Sequence, residues 1–176
     1  MHGTACLHRS VGSGTGTLAL QFAVAAGCKV FVTSGTGEKI ERAKALGACA
    51  GVNYKAQDWA EELQHLSGGF NVVIDSALGE GFAKIPDLCN PGARIVTFGG
   101  TAGDIPAISG RKIFWKQLQL IGTTMGTNDD FKAMTEFVSA HQIVPVIDEV
   151  FALADAKKAI DKMGRSSQFG KLVLRA

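Results

Sequence analysis

Charge of one sign is lacking in this chain. Eighteen lysines and arginines stand against 16 aspartates and glutamates in 176 residues, and no basic run exceeds two residues. That excludes a charge-driven nucleic-acid binder and a charged disordered tail. Long apolar runs are lacking too. The longest nearly uncharged stretch, Val11 to Cys28, is laced with glycine, serine and threonine and stops at Lys29, whereas a membrane span needs about 20 predominantly apolar residues. Met1-His2-Gly3-Thr4 shows no charged region, apolar run or cleavage site of a signal peptide. Cysteines are few and scattered, at Cys6, Cys28, Cys49 and Cys89, with no Cys-x-x-Cys. They argue for free, mostly buried thiols in a reducing cytoplasm rather than a zinc knuckle or redox pair. His2, His8, His65 and His141 share no ligand spacing with cysteine or with one another, so each reads as a surface or turn histidine and no zinc is expected. The single tyrosine, Tyr54, is followed four residues on by Asp58. A one-domain reductase that protonates a carbonyl with a Tyr-x-x-x-Lys pair is thereby excluded.

Glycine is abundant, at 22 of 176 residues, well above the usual ~7%. Such a chain spends glycine on tight turns and close backbone approaches. The apolar share of 46% suffices for one sizeable core. Short β-rich runs alternate with helical segments. Strands are expected at Thr4–His8, Lys29–Thr33, Gly51–Tyr54, Asn71–Asp75, Arg94–Phe98 and Leu118–Thr123. Between them lie helices at Thr15–Ala26 (Leu18, Phe22 and Ala25 on one face), Gly37–Leu46, from the cap Asp58 to about Leu66, and Gly81–Cys89 with a kink at Pro86. Gly99–Gly110 reads as a glycine-rich loop. Asn128 or Asp129 caps a further helix with Phe131, Met134, Phe137 and Val138 inward. Strands joined by helical crossovers predict a parallel sheet covered on both faces. The fold class is therefore α/β: a Rossmann-type, doubly wound six-stranded parallel sheet. After about Gln142 the pattern changes to a C-terminal strand-helix-strand appendage: Val144–Phe151, Ala154–Met163 and Lys171–Leu174.

Between the first strand and first helix stands Leu7-His8-Arg9-Ser10-Val11-Gly12-Ser13-Gly14-Thr15-Gly16-Thr17. A phosphate-binding turn must lie there. Glycines bring backbone N–H groups close to a pyrophosphate, and the helix N-terminus adds partial positive charge. The spacing is Gly-x-Gly-x-Gly, and no Gly-Lys-Ser/Thr occurs, so a Walker loop is excluded. A ligand-free tight turn is the alternative. The tip of the second strand reads Thr33-Ser34-Gly35-Thr36-Gly37-Glu38-Lys39. An NAD site wants an acid there for the ribose 2′-hydroxyl. Small hydroxyl residues and Lys39 instead favour NADP(H) over NAD(H), unless Lys39 merely pairs with Glu38 or Glu41. The missing acid also argues against a methyltransferase.

VGSGTGTLALQFAVAAGCKVFVTSGTGEKIERAKALGA, then GVNYK, VVIDSALG, PGARIVTFGG and QFGKLVL, together resemble the medium-chain dehydrogenase/reductase superfamily, in its quinone-oxidoreductase-like branch, also called zinc-binding alcohol dehydrogenases. The resemblance covers nearly the whole chain. It implies a cofactor-binding domain at residues 1–143 and, at 144–176, a segment that in the family completes the catalytic domain. The family's preceding GroES-like domain, with its zinc ligands, is not matched. An appendage without its partner would leave Val146, Ile147, Val150 or Leu172 as apolar surface. By resemblance, Gly12, Ser13, Gly14 and Thr15 form the pyrophosphate turn, one residue longer than common versions, with Arg9 where a small residue is usual. Ser34, Lys39 and Tyr54 match positions around the adenosine 2′-phosphate of NADP-using relatives. The residues themselves equally allow Tyr54 to be a half-buried strand-end residue. Phe98 and Gly99 match the lining near the nicotinamide, and Phe169 and Lys171 a terminal cofactor-facing motif. Asp75 is read as a cap of the next loop.

The function expected is an NADP-dependent oxidoreductase that exchanges hydride between NADP(H) and a quinone, enone or small carbonyl or alcohol substrate. Catalytic residues are not identified, and the chain is expected to bind cofactor but turn over poorly by itself. The alternative is a non-catalytic NADP(H)-binding sensor or interaction module. Among partners, neither nucleic acid nor membrane is expected, and a homodimer through the sixth-strand edge, with Leu118 and Ile121 available, is.

Overall fold

Apolar runs buried on both faces make parallel strands, and the computed structural model, which describes residues 3–176, has six of them in one sheet. In chain order the elements are β1 (Ala5–His8), α1 (Gly14–Ala25), β2 (Lys29–Ser34), α2 (Gly37–Ala45), β3 (Ala50–Asn53), α3 (Trp59–Ser67), β4 (Phe70–Asp75), α4 (Ile85–Leu88), β5 (Cys89–Thr97), α5 (Gly110–Trp115), β6 (Gln119–Gly122), α6 (Asn128–Ala140), β7 (Ile147–Ala152), α7 (Ala156–Gly164) and β8 (Lys171–Arg175). The large sheet runs β3-β2-β1-β4-β5-β6, and every pairing in it is parallel. The strand order reverses between β1 and β4, which opens a crevice at the carboxyl ends of those strands.

Alternation along β2 divides the core. Val30 and Val32 pack with Val11, Leu20 of α1, Ala43 of α2 and Phe169. Phe31, pointing the other way, packs with Leu7, Val73, Trp59 and Leu63 of α3 and Ile85 and Leu88 of α4. Helices α1 and α2 therefore cover one face and α3 to α5 the other, the doubly wound arrangement.

Several local expectations are corrected. The face of α1 that is buried carries Gly16, Thr17 and Leu20, while Leu18, Phe22 and Ala25 are half-buried. Residues 81–89 are not one helix. A 3-10 turn, Glu80–Lys84, leads into α4, Pro86 sits in the first helical turn where its missing N–H is no loss, and Cys89 starts β5. The long loop ends in α5, which the sequence pattern does not announce. Helix α6 is capped by Thr127, whose hydroxyl accepts from Asp130 N–H while Asp130 accepts from Thr127 N–H. On α6, Phe131 and Met134 are exposed, and Phe137 and Val138 are half-buried. Phe137 meets Phe22 edge-on, centroids 5.9 Å apart. An apolar cleft of about 630 Å³ remains between the sheet, α1 and α6, lined by Phe22, Val72, Ile74, Ile121 and Phe137 among others. On the edge strand β6, Leu120 and Ile121 are exposed, whereas Leu118, expected to be available at that edge, precedes the strand and is buried.

The appendage is a β7-α7-β8 unit with its two strands parallel. It is fastened to the turn after β1 and to α2. Gly170 N–H donates to Gly12 O at 3.1 Å, Arg42 Nη1 reaches Asp148 Oδ1 at 2.9 Å, and Lys39 Nζ donates to Ser166 O at 2.5 Å. Val146 packs on the core, and Leu172 is half-buried, whereas Ile147, Val150 and Leu174 are exposed.

Candidate dinucleotide-binding site

The turn after β1 is held by both neighbouring strands. Arg9 N–H donates to Ile74 O of β4 at 3.0 Å, and Val11 N–H to Thr33 O of β2 at 3.4 Å. Between them Ser10 takes a left-handed conformation, φ +62°. The chain then folds back so closely that a Cβ on Gly16 would stand 2.8 Å from Ser10 O and 2.9 Å from Val11 O. Only glycine fits there. Ser13 is the N-cap of α1, and its Oγ accepts from Gly16 N–H at 2.9 Å. First-turn amides have no acceptor within their helix. That of Thr15 has none among the described residues, while that of Gly14 faces Gly170 O in the Ser13–Gly170 bridge, so the Thr15 N–H remains for a ligand at the crevice.

Two cations stand over this turn. Lys39 Nζ lies 3.3 Å from the point a Cβ on Gly12 would occupy, and Lys171 Nζ lies 3.0 Å from the same point on Gly14. Partial burial moves the Lys39 ammonium below the ordinary lysine range, an effect opposed by Asp148 and Glu38. The sequence-based set Gly12, Ser13, Gly14, Thr15, Lys39 and Lys171 is thus one cluster. Phe169 belongs beneath it: its ring is buried in the core, with the Arg42 guanidinium 4.5 Å above it.

Ser34 and Tyr54 form a second group at the tips of β2 and β3. Ser34 is buried and its carbonyl accepts from Tyr54 N–H at 3.1 Å. Tyr54 is 46% exposed, and its hydroxyl reaches over Gly35, 2.8 Å from where a Cβ would stand. Phe98 and Gly99 form a third group, beyond β5. Phe98 N–H donates to Asp75 O at 3.4 Å, and a Cβ on Gly99 would stand 2.9 Å from Ser76 O. The three groups follow the carboxyl edge of the sheet from β3 to β5.

Sequence reasoning missed what lies under the turn. The Arg9 guanidinium is paired with the Asp75 carboxylate, both buried, and also donates to Leu78 O at 3.3 Å. Asp75 Oδ1 accepts from Ala77 N–H at 2.8 Å and Leu78 N–H at 3.2 Å, so the acid does cap its loop as expected. An acid closing an apolar run was the available signal, since a buried charge demands a partner. His8 is a correction: it is not at the surface but buried. Its Nδ1–H donates to Arg9 O at 2.9 Å, Nε2 has no partner, and burial pushes its pKa down to about 4. His2 lies outside the described residues.

Zinc does not fit the described residues. No group of three or more His, Cys, Asp or Glu side chains converges among them. Burial pushes the Cys6 thiol up to about 12 and that of Cys89 to about 11, the wrong direction for a thiolate ligand. The thiols are free, and against expectation Cys49 is exposed and Cys28 half-buried.

Residues 14–140 match the family model described as zinc-binding dehydrogenase. The chain is 35% identical over 174 residues to zinc-type alcohol dehydrogenase-like protein YogA of Leptosphaeria maculans, covering 93% of this chain and 48% of that protein. It is 30% identical over 105 residues to quinone oxidoreductase 1 of Escherichia coli, covering 58% of this chain and 32% of that one. The crystal structure of an NAD-dependent alcohol dehydrogenase superposes with a TM-score of 0.90 at 31% identity, covering 99% of this chain and 52% of the other. The chain thus spans about half the length of the curated relatives it matches. It belongs to the zinc-binding dehydrogenase family of medium-chain dehydrogenases/reductases and corresponds to that family's cofactor-binding half.

Proposed function

We propose that this chain binds NADP(H) along the carboxyl edge of its sheet and presents the nicotinamide for hydride exchange with a quinone, enone or small carbonyl or alcohol substrate. The observation that carries the reading is the turn at the strand-order reversal, where the Thr15 amide and the Lys39 and Lys171 ammonium groups converge. They suit a diphosphate. When bound, the dinucleotide supplies a hydride donor or acceptor. Ser13 holds the helix entry. Arg9 and Asp75 fix the floor of the crevice, and Phe98 and Gly99 wall the end beyond β5.

NADP(H) is preferred to NAD(H) because Ser34, Gly35 and Thr36 stand where an NAD site carries an acid. The name of the NAD-dependent alcohol dehydrogenase neighbour supports NAD(H) as the runner-up. In this proposal residues 1–143 act as the cofactor domain. Residues 144–176 complete a catalytic domain over the exposed side chains of Ile147, Val150 and Leu174. Two copies pair through the β6 edge at Leu120 and Ile121, and four free thiols suit a reducing cytoplasm. A non-catalytic NADP(H)-binding sensor or interaction module is the second reading. Calorimetric titration with NADPH and NADH tests the site, and no heat from either at millimolar concentration overturns it. Turnover of 1,4-quinones with NADPH separates the two readings, since a sensor binds without consuming cofactor.

A further inference from the structure

We infer that Asp148, outside the cluster that would take the dinucleotide, is a positioning residue for it: through Arg42 and the Phe169–Gly170 segment, its carboxylate holds the glycine turn and Lys171 in place. This rests on the dinucleotide reading above and gives a part in it to a residue which that reading does not use.

Asp148 stands where the β7–β8 ladder slips. Ile147 pairs with Lys171 and Glu149 with Leu172, so Asp148 is the extra residue on its strand. A bulge of this kind re-aims a side chain. Ile147 and Glu149 on either side are exposed, whereas the Asp148 side chain is only 8% exposed. A carboxylate so far from water needs cations. It has Arg42 Nη1 at 2.9 Å and Lys162 Nζ at 2.7 Å. Burial pushes its carboxyl up, but hydrogen bonds from Lys162, Arg42 and the backbone of Phe169 carry it below the usual carboxylate range.

Arg42, on α2, is the branch point. Its guanidinium also donates from Nη2 to Phe169 O at 3.4 Å and lies 4.5 Å from the centre of the Phe169 ring. Acid and guanidinium together therefore hold Phe169 by its ring and its backbone. Gly170 follows with no slack: its φ is +105°, and a Cβ there would collide with Val146 O. Gly170 N–H donates to Gly12 O at 3.1 Å, and Gly14 N–H faces Gly170 O in the Ser13–Gly170 bridge. The next residue, Lys171, supplies the ammonium over Gly14. A shift of Phe169 is thus passed directly to the backbone of the turn and to one of its two cations. The diphosphate that the turn would hold is common to NADPH and NADH, so the loss of Asp148 acts on both alike.

The test compares wild type with Asp148→Asn, Arg42→Gln and a control, Leu63→Ala, whose side chain is buried under α3 on the opposite face of the sheet. Urea denaturation measures stability, hydrogen exchange without ligand reads the amides of residues 12–17, and calorimetry titrates NADPH and NADH. Asp148→Asn is expected to quicken exchange at the turn beyond any change in global stability. It should also weaken both dinucleotides by one factor, about fivefold or more, the low end of coupling between separated sites. Arg42→Gln should do the same, whereas Leu63→Ala loses stability and keeps both affinities. Adding Lys171→Ala to Asp148→Asn should weaken binding by less than the product of the single effects, because the acid acts partly through that lysine. If Asp148→Asn does not fold, Arg42→Gln decides by the same readings. Unchanged exchange at the turn, affinities equal to those of wild type, a loss confined to one dinucleotide, or an equal loss in Leu63→Ala overturns the assignment while leaving the turn as a diphosphate site. Wild type that binds neither dinucleotide overturns the dinucleotide reading as well.

Discussion

The guanidinium of Arg9 and the carboxylate of Asp75 are joined in a buried ion pair that connects the turn after β1 to the loop after β4. Neither partner has water to fall back on. Arg9→Ala is therefore expected to destabilise the fold by about 3–5 kcal/mol, because it strands a buried carboxylate. Replacing both residues together by apolar ones should cost clearly less than the sum of the single changes. Urea denaturation of the two single variants and the double variant checks this, and strict additivity would refute it.

His8 makes stability depend on pH. Its folded pKa of about 4 lies below the ordinary 6.5 because burial disfavours the charged ring. Between those values the unfolded chain binds the extra proton, so stability rises with pH across the window and is lost as pH falls from 6.5 toward 4. The loss is on the order of 3 kcal/mol. Thermal melts at several pH values should show this slope in wild type and a flatter one in His8→Leu. Equal slopes would show that His8 is not its source.

Two glycines of the same turn should respond differently to alanine. At Gly16 the new methyl meets backbone carbonyls, and Gly16→Ala is expected to cost about 1–3 kcal/mol. At Gly14 it meets only the flexible end of Lys171, so Gly14→Ala should change stability by less than about 0.5 kcal/mol while displacing a cation from the turn and weakening dinucleotide binding. Melting temperatures and titrations on both variants would separate the effects. A large stability loss at Gly14 contradicts the prediction.

The cysteines should be modified in order of access. Cys49 is exposed, and Cys6 and Cys89 are buried with raised pKa values. Iodoacetamide at pH 8 is expected to label Cys49 in the folded protein and to reach Cys6 and Cys89 only in denaturant. Peptide mass spectrometry reads this directly, and early labelling of Cys6 would contradict its burial.

The strand-helix alternation was legible because strands buried on both faces read as unbroken apolar runs, and the glycine turn was legible by its place in that order. What escaped depended on tertiary partners. Arg9 and Asp75 are 66 positions apart, and nothing local marks them as a pair. Helix α1 has no distinct polar face, so spacing could not choose Leu20 over Leu18 as its core residue. Helix α5 buries none of its residues and shows no amphipathic period. Thr127, Asn128 and Asp129 are all competent caps, and only the reciprocal bond with Asp130 decides for Thr127.

Gly170 donates its amide to Gly12, and Ser13 bridges to Gly170. The turn after β1 and the last strand are therefore a single mechanical joint, although most of the chain separates them. In the proposed function, whatever holds β8 in place also holds the turn that would take the diphosphate.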